Sequence, residues 1–210
     1  MKYFPFLTIG IFMAIVLVGC GIGQSNEPVS TQENTMEENR LSMSTYSNEE
    51  LGISFDYPAD WVIDNSIAEQ LQEGFLFESS APLVFIVEPE PDEGFANNIN
   101  FVIEQTLFLA PSGLEIAEQS VEMYKTFGPN MGMSDFREVE VKPFDVGNFK
   151  SGVLIGEYVL SQTGTELSVM QLIVPFGQKV YNLTMTVKRE DYPTYRPVFD
   201  KIAESFKIEM

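Results

Sequence analysis

Alternation of apolar and polar residues over short stretches predicts strands with one buried face in the first half of the folded region. The segment GISFDYP at 52–58 alternates and then stops at proline. The run LVFIV at 83–87 is apolar throughout, as in a strand buried on both faces, and 99–104 alternates again. These patterns predict three strands before the first clear helix signal.

A helix is predicted after Pro111, because apolar residues then recur at spacings of three and four. The residues of this stripe are Leu114, Ala117, Val121 and Tyr124. Ser112 and Glu115 have the spacing of a capping box, and the pair at 128–129, Gly-Pro, ends the run. The helix is therefore predicted between 112 and 128.

Four successive strands are predicted next, at 136–146, 153–160, 167–174 and 181–187, with a bend at Pro143 in the first. Turn sequences separate them at 147–148, 163–164 and 175–178. Short turns between neighbouring strands favour an antiparallel meander.

The chain ends in a second predicted helix. Its apolar stripe would be Tyr195, Phe199, Ile202 and Phe206, with Pro197 in the first turn and Thr194 as the cap. A meander sheet flanked by helices that are separated in sequence is an α+β fold.

The first twenty residues, MKYFPFLTIGIFMAIVLVGC, have a different pattern. Lys2 precedes an apolar run over 4–18. This run is short for a membrane span, which needs about 20 apolar residues, and has the length of a secretory h-region. The segment ends in Leu-Val-Gly-Cys at 17–20, which resembles the lipobox of bacterial lipoprotein signal peptides.

The lipobox resemblance implies a diacylglyceryl thioether on Cys20 and cleavage before it, with two acyl chains for stable anchoring. The alternative is an uncleaved membrane anchor. We expect a signal peptide at 1–19, a lipidated cysteine with a disordered acidic linker at 20–44, and one folded domain at 45–210. The linker is rich in Gly, Ser, Asn, Glu, Thr and Gln, and a random coil of about 24 residues spans roughly 25–30 Å. The domain would then lie outside the cell, on the extracytoplasmic face of the membrane.

Charge and residue content exclude several function classes. The formal net charge is −19, which disfavours nucleic-acid binding. The chain has no histidine and one cysteine, so His-dependent triads, His-containing metal sites and internal disulfides are excluded. No cofactor is predicted, and no spacing selects a catalytic residue.

The segment YSNEELGISFDYPADW at 46–61 and the stretch 152–208, with three meander strands and a helix, resemble the PsbP-like family. The resemblance implies an α/β/α sandwich and a non-enzymatic scaffold that supports protein assemblies or metal sites. No ligand set of the family can be matched in this chain.

Four local features are candidate sites, each with a structural alternative. The acidic run Glu88, Glu90, Asp92 and Glu93 offers oxygen ligands for Ca²⁺, but its prolines favour a solvated loop. The loop 128–134 places Met131 and Met133 where they would form an adaptable contact surface or fill the core. Trp61 would stack on a ligand or plug the core, and the mixed charges at 188–191 indicate a solvated junction.

The function favoured by the sequence is a membrane-anchored binding or assembly module without catalytic activity. Its expected partners are the membrane, through the lipid on Cys20, and a protein of the cell envelope. A Ca²⁺-responsive structural domain and a histidine-independent hydrolase are the alternatives.

Overall fold

The computed structural model describes residues 42–64, 66, 82–89 and 95–209. Over these ranges the chain forms two antiparallel sheets and two α-helices. The strands are β1 (Met43–Asn48), β2 (Ile53–Pro58), β3 (Val62–Ile63), β4 (Val84–Val87), β5 (Asn98–Gln105), β6 (Met133–Val146), β7 (Phe149–Leu160), β8 (Glu166–Phe176), β9 (Lys179–Lys188) and β10 (Lys207–Ile208). The helices are α1 (Gly113–Phe127) and α2 (Tyr192–Ser205), and single 3₁₀ turns occupy Gly128–Met131 and Arg189–Asp191.

The larger sheet has the strand order β3-β4-β5-β9-β8-β7-β6, and the smaller one has the order β1-β2-β10. Strands β6 to β9 pair with their chain neighbours, so the predicted meander is confirmed. Tight turns connect them, and Gly147 and Gly177 adopt φ values of 56° and 64° in two of these turns. Only glycine takes this left-handed conformation without steric strain. The predicted α+β class with an antiparallel meander is therefore confirmed.

The larger sheet has a hydrophobic core on each face. On one face α2 and the smaller sheet pack, and the rings of Phe55, Phe101 and Phe206 lie 6.0–6.3 Å apart there. On the other face α1 packs across β6, β7 and β8, with Ile116 and Tyr124 fully buried. The sheet is thus the central layer of a sandwich.

Helix α1 begins with the predicted capping box. The Ser112 hydroxyl accepts from the Glu115 N–H at 3.3 Å, and the Glu115 carboxylate accepts from the Ser112 N–H at 3.0 Å. The buried stripe includes Ile116 and Ser120, while Leu114 is only half-buried. The predicted stripe is therefore confirmed at Ala117, Val121 and Tyr124 and is wrong at Leu114. Ile116 was not predicted, because it lies one residue from Ala117 and five from Val121, outside the spacings of three and four.

Helix α2 begins earlier than predicted. Its first residue is Tyr192, and the cap position is Asp191, which makes no side-chain capping bond. The prediction of Thr194 as the cap is wrong, because Thr194 lies inside the first turn. Pro193 occupies the early position that suits proline, and Pro197 lies inside the helix. The predicted apolar stripe is buried as expected.

Strand β6 is an edge strand, and its irregularities differ from the prediction. Pro143 pairs in register with Gly152, so the chain is not displaced there. The register shifts instead between Ser134 and Arg137 and again between Glu138 and Glu140. Bulges, charges and proline are the features that keep an exposed edge from pairing with another chain.

Strand β1 begins at Met43, two residues before the predicted start of the domain.

Candidate functional site

The loop between β5 and α1 exposes three consecutive large apolar side chains. Leu107, Phe108 and Leu109 are 74 %, 68 % and 79 % exposed. Single exposed apolar residues are ordinary, whereas a contiguous exposed group is typical of a contact surface. We call these three residues the apolar tip.

Hydrogen bonds fasten the apolar tip to the turn between β8 and β9. The Thr106 N–H donates to the Gln178 carbonyl at 2.7 Å, and the Ala110 N–H donates to the Gly177 carbonyl at 2.9 Å. The Gln178 side-chain amide donates to the Leu107 carbonyl at 3.1 Å. Because the backbone is bonded on both sides of the tip, the apolar side chains project from a loop of defined shape.

Aromatic residues and lysines surround the apolar tip. Phe176, 37 % exposed, ends β8 beside the turn that holds the tip. The ring of Phe149 meets that of Phe176 edge-on at 5.2 Å. Lys179 lies directly across the β8–β9 pair from Phe176, and the exposed Lys150 follows Phe149. The apolar surface therefore continues toward Phe176 and is flanked by positive charge.

Among the residues that the structure describes, few acidic ones lie at this end of the molecule. The segments 105–112 and 174–180 contain no Asp or Glu, although the chain has 31 acidic residues. The neighbouring turn between β6 and β7 brings one acid, Asp145, opposite Lys150. The carboxylate of Glu115 is bonded to the cap residue Ser112. The apolar tip thus lies in a region whose local charge differs from the net −19 of the chain.

A second notable feature is a buried row of polar side chains on the α1 face of the larger sheet. Asn100, Thr184 and Gln171 lie side by side across β5, β9 and β8, and all three are at most 4 % exposed. The Gln171 amide donates to the Thr184 hydroxyl at 3.2 Å. Asn98, Asn182 and Thr186 on the same face are also buried. Alternation in β5 and β9 predicted one polar face, but it did not reveal that this face is covered.

A buried carboxyl group lies on the same face. Burial raises the pKa of Glu104 from 4.5 to about 8. Burial also raises the pKa of Tyr124 on α1, with the charge of Glu104 as a second cause. The pKa of Tyr158 on β7 is raised chiefly by burial as well. All three groups are buried on the face of the larger sheet on which α1 packs.

Glu88, the first of the predicted Ca²⁺ ligands, is engaged in hydrogen bonds. Its carboxylate accepts from the Tyr195 hydroxyl at 2.8 Å and from the Asn97 amide at 2.7 Å. The Asn97 side-chain nitrogen also donates to the Asp191 carboxylate at 3.0 Å, and the Asn97 side-chain oxygen accepts from the Lys188 N–H at 2.9 Å. Glu88 therefore joins β4, the start of β5 and the start of α2.

The other predicted ligands, Glu90, Asp92 and Glu93, lie outside the described residues, as does Cys20. Within the described ranges, no three or more carboxylate or other metal-binding side chains come together. The described part of the chain thus tests only the Glu88 position of the predicted calcium site.

The remaining sequence candidates prove structural. Trp61 is 4 % exposed, and its ring packs 5.5 Å from that of Tyr195. Met133 is 1 % exposed and starts β6, so for this residue core filling is confirmed and the contact-surface alternative is wrong. At the 188–191 junction, Arg189 pairs with Glu157 and Glu166. The apolar tip was not predicted from the sequence, where its signal is three consecutive apolar residues in a loop that ends at the cap residue Ser112.

Neither helix in the described ranges has the length and apolar character needed to cross a bilayer.

The architecture is a three-layer α+β sandwich around an antiparallel sheet, and known proteins share this architecture. A family model described as PsbP-like protein matches residues 8–80. None of the curated proteins matches the chain by sequence.

Two solved structures share the architecture. The solution structure of cyanobacterial PsbP (CyanoP) from Synechocystis sp. PCC 6803 has a TM-score of 0.56 at 13 % identity, covering 84 % of this chain and 98 % of that one. The crystal structure of LpqN, involved in cell envelope biogenesis of Mycobacterium tuberculosis, has a TM-score of 0.53 at 18 % identity, covering 82 % and 94 %. The chain has a PsbP-like fold, as the sequence resemblance implied.

Proposed function

We propose that the protein is an extracytoplasmic lipoprotein, anchored in the cell membrane through a lipid on Cys20, whose PsbP-like domain is a binding or assembly module without catalytic activity. The observation that carries the proposal is the lipobox at 17–20, which closes an apolar run at the distance of a signal peptide and contains the chain's single cysteine. The fold is shared with LpqN, a protein involved in cell envelope biogenesis of Mycobacterium tuberculosis, and this supports the proposed location.

The enclosed titratable groups support a role without catalysis. A catalytic acid or base must come within hydrogen-bond reach of its substrate. Glu104 and Tyr124 are buried against the sheet, and Glu88 is bonded to two side chains. The apolar tip is a contiguous group of exposed apolar side chains within the described residues, and such a group is typical of a contact surface. A protein partner in the cell envelope is part of the proposal.

Processing and cell fractionation test the proposal. Globomycin treatment and a Cys20→Ala substitution should each leave an unprocessed precursor, and the Cys20→Ala protein should lose the mobility shift of the lipidated form. A Ser25→Ala protein, changed five residues beyond the lipobox, is the matched control and should be processed like the wild type. Processing and membrane association that are unaffected by both treatments would contradict the lipoprotein assignment.

A further inference from the structure

We propose that the apolar tip docks on the bilayer surface, so that Leu107, Phe108 and Leu109 enter the interfacial region of the membrane that holds the lipid anchor. The inference rests on the proposed lipid anchor at Cys20. It adds to that anchor a second, non-covalent contact made by the folded domain, which fixes the orientation of the domain on the membrane.

The shape of the apolar tip favours a lipid surface over a protein pocket. The three exposed side chains are consecutive and project from one loop that is bonded to the neighbouring turn. A projecting apolar loop can enter the boundary between headgroups and acyl chains without needing a matched cavity. Apolar groups gain free energy there in proportion to the area that leaves water.

The charges around the apolar tip also fit an anionic lipid surface. The loop segment that contains the tip, 105–112, and the segment of the turn bonded to it, 174–180, both lack acidic residues. Lys179 and Lys150 are exposed at this end of the sheet, with Asp145 as the acid in the same group of turns. Lysines close to anionic headgroups are attracted over about a Debye length. The acidic remainder of the domain would favour an orientation in which this end faces the membrane.

The linker is long enough for this orientation. Ser42, the first described residue, lies at the opposite end of the sheet from the apolar tip. Its carbonyl accepts from the Ala59 N–H, and the nearby Trp61 packs against the start of α2. Strand β8 with 11 residues gives the sheet a length of roughly 36 Å. A chain from Cys20 to Ser42 can reach roughly 75 Å when extended, which exceeds that length about twofold.

The anchor explains how a small contact can be sufficient. Three side chains alone would bind a bilayer weakly and reversibly. A lipid on Cys20 would make the docking of the apolar tip intramolecular, with an effective concentration in the millimolar range for a flexible linker. Docking would therefore be expected in the lipidated protein and nearly absent in the same chain without lipid.

Tryptophan fluorescence in vesicles tests the inference. Phe108 and Phe127 are matched sites, 68 % and 56 % exposed; Phe108 lies in the loop before α1, and Phe127 is the last residue of that helix. Phe108→Trp and Phe127→Trp would be made in the full-length lipidated protein, in vesicles of phosphatidylethanolamine and phosphatidylglycerol with or without brominated acyl chains. The native Trp61 is 4 % exposed and gives the background in all samples.

We expect brominated lipid to reduce the added fluorescence of the Phe108→Trp protein about twofold, with a blue-shifted emission, as for an indole at the interface. The Phe127→Trp protein should change no more than the wild type. Equal quenching of both variants, or quenching of neither, would overturn the inference. So would a photo-crosslinker at position 108 that reaches a protein and no lipid in intact cells.

Flotation of each sample with its vesicles separates this inference from the proposed function. A protein that floats but shows no quenching at position 108 is anchored without a docked tip, which contradicts the inference alone. A protein that does not float lacks the anchor, which contradicts the proposed function.

Discussion

The hydroxyl of Tyr195 donates a 2.8 Å hydrogen bond to the carboxylate of Glu88 and so connects the first turn of α2 to the end of β4. Burial is the main cause that raises the pKa of Tyr195, followed by this hydrogen bond and the charge of Glu88. The ring of Tyr195 also packs on Trp61. One tyrosine thereby links α2, the larger sheet and the chain that follows β2.

Removing the Tyr195 hydroxyl should destabilise the fold. We expect Tyr195→Phe to lower the free energy of unfolding by about 1–2 kcal/mol, because one carboxylate oxygen of Glu88 loses its donor in a partly buried place. Urea denaturation measures the change. Tyr57→Phe is the control, since Tyr57 is half-buried and its hydroxyl makes no hydrogen bond within the described residues. Equal effects of the two substitutions would show that the bond to Glu88 contributes nothing specific.

Glu104 should make the free energy of unfolding fall as the pH rises. The folded-state pKa of about 8 lies above the ordinary value of 4.5, because burial disfavours the charged form. Between these values the folded chain retains a proton that the unfolded chain releases. The contribution of Glu104 to the free energy of unfolding is therefore fully present below pH 4.5. It is lost as the pH rises through 8, by up to about 1.4 kcal/mol per pH unit.

Glu104→Gln should remove that dependence. In urea denaturation between pH 5 and pH 8.5, the substituted protein should gain stability relative to the wild type as the pH rises. Glu122, on α1, has a side chain that is 75 % exposed. The stability of the Glu122→Gln protein should therefore change with pH in the same way as that of the wild type. If the free energy of unfolding changed with pH equally in the wild type and in Glu104→Gln, the Glu104 carboxyl group would already be ionised in the folded chain.

The contact between α1 and β7 should tolerate no side chain at Gly113. A Cβ built there would lie 2.3 Å from the backbone N of Gly152, and backbone cannot move aside as a side chain can. Gly113→Ala should destabilise by about 1–3 kcal/mol, the range of overpacked cores. Gly128→Ala is the matched control at the far end of α1, where the nearest atom is 3.3 Å away. In thermal unfolding, the Gly113→Ala protein should melt at a lower temperature than the Gly128→Ala protein.

The apolar tip should contribute little to stability. Phe108 is 68 % exposed, so Phe108→Ser should change the free energy of unfolding by less than about 0.5 kcal/mol. Phe101, fully buried in the core beneath α2, should lose about 3–5 kcal/mol on replacement by alanine. Chemical denaturation compares the two. A large loss from Phe108→Ser would indicate that this side chain supports the fold.

Local patterns predicted most of the fold. The capping box at Ser112 and the turn glycine at 147 act through neighbouring residues, so they can be recognised in the sequence. The start of α2 could not be predicted as well, because Thr194 fits a capping position and only the packed chain shows that Tyr192 is already helical. The pairing of β5 with β9 joins residues about 80 apart, which no local pattern can indicate.

The candidate site was harder to predict than the fold. The acidic run that contains Glu88 resembles a solvated loop or a metal site in sequence, and only the structure shows Tyr195 and Asn97 bound to its first carboxylate. The polar side of β5 looks solvent-facing until its burial is known. Leu107 to Leu109 resemble core residues in composition, and their exposure depends on where the loop lies relative to the turn at Gly177.

Mass spectrometry of the mature N-terminus tests the central claim of a lipid-anchored module most directly. In protein purified from membranes, the N-terminal tryptic peptide should begin at Cys20, end at Arg40 and carry the mass of a diacylglyceryl group. A peptide that retains residues before Cys20, or an unmodified Cys20 thiol in membrane-derived protein, would contradict the account.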